Sequence, residues 1–244
     1  VGVGAAVTFF EAGADYAAFR PTYPADVVKH IRELAPQARV LIDVGAGTGQ
    51  LTAELQRDFP LAVGVDPSLS QAHAAGGVPM VVATAESLPF ATESVDVITV
   101  AQAIHWVDVP AFLAEARRVA RPGALLWIVS YGVAQLDPGG DLEQVFSDFY
   151  WGPFHRFWEP QRSIVDDELR SVEPLIPGAV REEEFLDQHM TCEQFVGYLN
   201  TWSSARSPEA RSELDAFVGE LSAHWTDGQT RLVRWPLTVL HTTL

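Results

Sequence analysis

"LIDVGAGTGQ", residues 41–50, runs from apolar residues through one acid into glycine at every second position. Leu41, Ile42 and Val44 have the character of a strand covered on both faces, and the glycines behind them suit a tight turn where backbone approaches a ligand. On either side of this stretch the pattern repeats. With "ARVLIDVG" (38–45), the runs "LAVGVD" (61–66), "PMVVAT" (79–84), "VDVITVAQ" (95–102) and "GALLWIVSY" (123–131) read as buried strands. Helical spacing falls between them: Val27, Val28, Ile31 and Leu34 behind Pro24, then Leu51, Leu55 and Phe59, then Phe112, Leu113, Ala116 and Val119 between Pro110 and "RPG" (121–123). Alternating strands and helices predict a doubly wound α/β sheet.

The second half changes character. Leu142, Val145, Phe146 and Phe149 share one helix face. "FYWGPFHRFW" (149–158) then holds six aromatics in ten positions, too crowded for an ordinary exposed loop. Thr191 and Gln194 form a capping-box pattern ahead of Phe195, Leu199 and Trp202. Ser207-Pro208 opens another helix carrying Leu214, Phe217, Val218 and Leu221. "EEEFLDQHM" (182–190) and "RLVRWPLTVLHT" (231–242) read as late strands, and Pro236 predicts an edge position or a bulge for the last. The expectation is one domain over 1–244, with an amino-terminal cap (1–36), a core (37–132), an aromatic helical lid (137–178) and carboxyl-terminal strands and helices (179–244).

Composition narrows the function. Acidic residues outnumber basic ones 32 to 16, a formal charge of −16 that repels phosphate backbones, so nucleic acid is not an expected partner. No segment is apolar enough for a membrane span, and the amino end, without a basic region, reads as a flexible start rather than a secretory signal. Cys192 is the one cysteine; it cannot form an internal disulfide and fits a cytoplasmic setting. The histidines show no metal-ligand spacing, so no metal is expected. Oligomeric state is not legible.

Three tests bear on the ligand of the glycine turn. A nucleoside triphosphate loop needs a lysine after its last glycine, and none is near. A dinucleotide turn needs a third glycine at position 50, where Gln50 stands. Asp43 before the turn discourages a pyrophosphate but suits a cationic ligand such as S-adenosyl-L-methionine. Asp43 can equally order the loop from within. Asp66 ends the second strand, where a carboxylate can accept both hydroxyls of a ribose.

In series, "LIDVGAGTGQ", "VGVDPS", "ATAESLPF", "VDVITVAQAIHWVD" and "RRVARPGALLWIVSYG" resemble the class I S-adenosylmethionine-dependent methyltransferases. "ADYAAFRPTYP" and "LNTWSSARS" are similar to the small-molecule branch that includes trans-aconitate methyltransferase-like proteins. The resemblance implies a Rossmann-like, mostly parallel seven-stranded sheet with an antiparallel last strand, plus the helical lid. It implies S-adenosyl-L-methionine as cofactor and a small-molecule acceptor, methylated at oxygen or else at nitrogen or carbon. Carried onto this chain, it sets Gly45, Ala46, Gly47 and Gln50 near the methionine part, Asp66 on the ribose, and Pro67 and Ser68 beside it. Ala85 and Glu86 would border adenine, Ala101 or Gln102 would meet the amino-acid end, and Tyr16 and Arg20 would cap the site.

His105, just after the fourth strand, is the candidate base, or else a wall of the site. Trp106, Tyr131, Trp151, Phe154, His155 and Trp158 are candidates to line the acceptor pocket, or else to fill a lid's own core. The motif of Asn or Asp, two prolines and an aromatic used on exocyclic amines is replaced by Gln102-Ala103-Ile104-His105, which disfavours bases and protein glutamine as acceptors. Two alternatives remain at this point: a cofactor-binding protein without transfer activity, and an NAD-dependent oxidoreductase.

Overall fold

The computed structural model describes Phe19, Pro21 and residues 25–244 apart from Asp227. Tyr16, Arg20 and Pro24 lie outside the described residues. The chain alternates α1 (Ala25–Leu34), β1 (Val40–Val44), α2 (Gln50–Leu55), β2 (Leu61–Asp66), α3 (Leu69–Ala74), β3 (Met80–Val82), β4 (Val95–Ala101), α4 (Val109–Val119) and β5 (Ala120–Tyr131). It continues through β6 (Gln135–Leu136), α5 (Asp141–Phe149), α6 (Ser163–Asp166), β7 (Val180–Thr191), α7 (Cys192–Asn200), α8 (Pro208–His224) and β8 (Thr230–Thr243).

The sheet order is β3-β2-β1-β4-β5-β8-β6, with β7 on the free edge of β8. Strands β1 to β5 pair in parallel, and β8 runs antiparallel to β5. This is the expected doubly wound sheet with one addition: two-residue β6 makes it eight-stranded rather than seven. Parallel pairing puts the carboxyl ends of β1 to β5 along one edge of the sheet, where loops converge and ligands bind in such folds.

Local chemistry explains the boundaries. The side chain of Asp108 accepts the Ala111 N–H at the start of α4, and Pro110 sits in the first turn, where its missing N–H costs nothing. Thr191 and Gln194 make the reciprocal capping box of α7. The "RPG" segment ends α4 as expected, with β5 beginning at Ala120 and Arg121 donating to Asp96 at 2.6 Å. Pro236, however, does not mark an edge. It lies inside β8 opposite Gly132, where the chain leaves β5, and its carbonyl accepts the Gly132 N–H at 2.7 Å. Backbone N and O of one strand residue point the same way, so the absent donor of Pro236 falls in the gap between β5 and β6.

Two apolar cores flank the sheet. One joins α1 and α2 to α5, α7 and α8 through Ile31, Leu55, Phe146, Phe195 and Leu221; the other joins α4 to Leu169, Val172 and Ile176. Phe149, Tyr150 and Phe154 belong to the first core, and Ile164 packs on the second, so residues 155–163 carry the chain from one face to the other. This crossing is called the strap below.

Candidate functional site

The turn after β1 is pinned to β2: Gly45 and Ala46 both donate to the Val65 carbonyl, at 2.8 and 3.1 Å. Gly45 has φ 72°, and a Cβ there would stand 2.3 Å from the Cβ of Ala103. Only glycine lets the loops after β1 and β4 touch. Gly47, at φ 57°, has nothing within 4 Å of where its Cβ would be, so its outer side is open. The loop is thus tight against protein on one side and bare on the other.

Asp66, buried at the end of β2, holds that loop. Its Oδ2 accepts the Gly47 N–H at 2.8 Å and its Oδ1 accepts the Ser68 N–H at 2.9 Å. A carboxylate has about four acceptor positions, so about two are left for further donors. Burial pushes the Asp66 carboxyl above the usual aspartate range, against the pull of those two N–H groups. Ser68 caps α3 through its hydroxyl, and Pro67 beside it is exposed.

Asp43 lies under the turn rather than facing out. Its two oxygens accept the hydroxyls of Thr52 and Thr99 at 2.7 and 2.8 Å, and it is buried. Burial pushes its carboxyl up to about 6, partly offset by those hydroxyls and reinforced by the nearby Asp66. Of the two readings of Asp43, the geometry supports the one in which it orders the loop.

At the neighbouring strand ends, Gln102 has φ 51° and bridges to β5: its Oε1 accepts the Tyr131 N–H at 2.8 Å and its Nε2 donates to the Tyr131 carbonyl at 3.2 Å. The amide therefore splints β4 to β5, leaving Ala101 partly exposed above them. Ala85 is buried, and Glu86 accepts the Asp108 N–H at 2.9 Å, tying the loop after β3 to the start of α4. Gln50 is exposed as the first residue of α2. His105 is buried in the turn Ile104–Trp106, its ring 4.8 Å from that of the exposed Trp106.

The strap turn Pro160–Arg162 lies against that His105 turn. Asp166 gathers three partners beneath it: Tyr150 Oη at 2.7 Å, Arg162 Nε at 3.1 Å and His155 Nε2 at 3.1 Å. The Arg162 guanidinium also stacks 4.3 Å over Trp158. Sequence reading singled out His155 and Trp158 here but missed Arg162 and Asp166, whose spacing of four after an aromatic run was the available signal. Phe154 is fully buried against Phe149 and Trp202, so its ring fills the lid's own core, whereas Trp151 is 51% exposed. Tyr131 is buried at the end of β5.

Residues 42–128 match the family model described as a methyltransferase domain. A protein of Dictyostelium discoideum named as a methyltransferase is 34% identical over 193 residues, covering 77% of this chain and 73% of that protein. The chain belongs to the class I S-adenosylmethionine-dependent methyltransferases. A solved structure described as a type II methyltransferase from Anaeromyxobacter dehalogenans shares the whole architecture of this methyltransferase, at 33% identity and TM-score 0.80 over 93% of this chain and 98% of that one. An uncharacterized methyltransferase of Mycobacterium tuberculosis is 41% identical over 132 residues, about half of each chain (52% and 50%). Family membership removes the oxidoreductase alternative. Among the described residues no helix is long and apolar enough to cross a membrane.

The raised Asp43 carboxyl gives this methyltransferase a pH signature. A buried acid that holds its proton up to about 6, against an ordinary 3.8, favours the folded state below the lower value. That contribution, on the order of 3 kcal/mol at most, is lost as pH rises through about 6. Asp43→Asn removes it while the two threonine hydroxyls can rotate to serve the amide. Urea unfolding across this range should show wild type losing stability relative to the variant between those two values. A constant difference at every pH would contradict a protonated, buried Asp43.

Proposed function

We propose that this methyltransferase transfers the methyl group of S-adenosyl-L-methionine to a small organic acceptor, with a hydroxyl or carboxylate oxygen favoured. The observation that carries the donor half is the Asp66 carboxylate, bonded to two backbone N–H groups with acceptor capacity left over. That capacity suits a vicinal diol. The bare outer face of Gly47 leaves room beside it for the rest of the molecule. When bound, the donor supplies a sulfonium-activated methyl group. The residues' task is then to align donor and acceptor and to exclude water. In this reading Gly45, Ala46, Gly47 and Gln50 line the methionine side, Pro67 and Ser68 flank the ribose, Ala85 and Glu86 border adenine, and Ala101 or Gln102 meets the amino-acid end.

The acceptor side falls to the strap. Trp106 follows β4 and Tyr131 ends β5, and the strap, which carries His155 and Trp158 and follows Trp151, lies with its Pro160–Arg162 turn against the loop that carries His105. A hydroxyl acceptor must lose a proton as the new bond forms, and two imidazoles are available for it, His105 and the Asp166-oriented His155. The partner of this chain is thus a metabolite-sized molecule rather than nucleic acid, in keeping with the charge of −16.

The test is methyl transfer from labelled S-adenosyl-L-methionine to a panel of phenols, hydroxy acids and carboxylic acids. Labelled product is expected; tight donor binding with no transfer to any acceptor would favour the non-transferring alternative. With an acceptor in hand, His105→Ala should lower turnover about a hundredfold or more while S-adenosylhomocysteine affinity changes little. Equal losses in both would make His105 a wall, and a loss seen instead in His155→Ala would move the base to the strap.

A further inference from the structure

We propose a divalent-cation site, of the kind that takes zinc, formed by His30, Glu182 and His241 on the side of the sheet away from the donor site. The three residues come from separate elements: α1, β7 and β8. On the sheet, Glu182 stands opposite Val239 and His241 opposite Trp127, so both rise from the face that α1 covers with Val27 and Ile31. His30 Nδ1 is 3.5 Å from one oxygen of Glu182, and His241 Nε2 is 3.2 Å from the other. All the candidate ligand atoms lie within 4.8 Å of one another.

These distances suit a metal. A tetrahedral zinc with bonds of about 2.1 Å holds its ligand atoms about 3.4 Å apart, so the edge from a histidine to whichever Glu182 oxygen binds already has about the required length. The other two edges, no longer than 4.8 Å, close by rotation of the imidazoles, whose rings stand edge to face with centroids 5.8 Å apart. Two histidines and one carboxylate form a borderline set that prefers zinc and neighbouring transition ions to magnesium or calcium. One fourth position remains for water, and the side chains of His30 and Glu182, 29% and 39% exposed, give solvent a way in. Without metal, a ring proton of His241 bridges it to Glu182 at 3.2 Å. A cation takes the place of that proton, which moves to the far ring nitrogen or into solvent.

The site is remote from transfer chemistry. His241 sits level with Trp127, four residues before the carboxyl end of β5, a separation of about 13 Å along the strand. Its consequence is structural: one ion would staple α1 to the two antiparallel strands that close the sheet. The histidine spacing along the chain gave no hint of it, because residues 30, 182 and 241 meet only through the fold.

The test uses the full chain stripped with chelator and titrated with zinc chloride by calorimetry in a non-coordinating buffer. One equivalent should bind in the low micromolar range or below. Glu182→Gln and His30→Gln, both on partly exposed side chains, should each weaken it at least about tenfold. The same variants should bind S-adenosylhomocysteine as wild type does, which separates loss of metal from loss of fold. Cobalt should give the visible absorption of a four-coordinate ion in wild type alone. Absence of saturable zinc binding, or binding of equal strength in both variants, would overturn the proposal.

Discussion

Asp66→Ala should weaken S-adenosylhomocysteine binding by about a hundredfold or more. The side chain meets two backbone N–H groups and, in the proposed complex, two ribose hydroxyls. Hydrogen bonds to a charged acceptor contribute about 1.5–3 kcal/mol each, so losing the two to ribose alone reaches that factor. The variant also releases the Gly47 N–H, on which the shape of the glycine turn depends. Asp66→Asn keeps the size of the side chain but sets an amide donor against the N–H of Gly47 or Ser68, and should fall between. Because burial raises the Asp66 carboxyl, wild-type affinity should decline on acidification at a higher pH than an exposed aspartate would give. Calorimetry decides the matter: unchanged affinity in Asp66→Ala would remove the basis of the donor site.

Asp166→Ala should destabilise the fold by about 3–5 kcal/mol, the cost of removing one partner from a buried ion pair. Arg162 and Asp166 are only 12% and 10% exposed, and the hydroxyl of fully buried Tyr150 rests on the same carboxylate. Burial, with the Asp166 charge beside it, raises the Tyr150 phenol, which therefore stays neutral and donates. Alanine would leave the phenol without its acceptor and the guanidinium with only the Tyr150 hydroxyl, 3.0 Å away, at the point where the chain changes faces. Urea denaturation gives the number; a loss below about 1 kcal/mol would mean that the network does not clamp the strap. In conditions where the variant is folded, donor binding should persist while transfer to the acceptor falls. Wild-type turnover in that variant would separate the strap from the acceptor site.

The turn and acid of the proposed donor site were legible because they are local in sequence. Strand, glycine turn and Asp66 follow one another within residues 41–66, and each is marked by residue type: β-branched runs, glycines with positive φ, an acid at a strand end. The fold was legible for the same reason, since buried parallel strands announce themselves as unbroken apolar runs. What spacing could not show was contact across distance. Asp43 could face a ligand or the interior until Thr52 and Thr99 were seen to hold it. Phe154 looked like pocket lining but is sealed by Phe149 and Trp202. Pro236 argued for an edge because proline breaks a ladder, and only the gap between β5 and β6 reveals how an inner strand tolerates it.

The strap has an evolutionary consequence. The stretch matched by the family model ends at residue 128, before the chain reaches residues 155–163, and the glycine turn and Asp66 are complete by then. With donor and acceptor held as proposed, changes confined to the crossing would alter what is methylated without disturbing the turn that holds the methyl source.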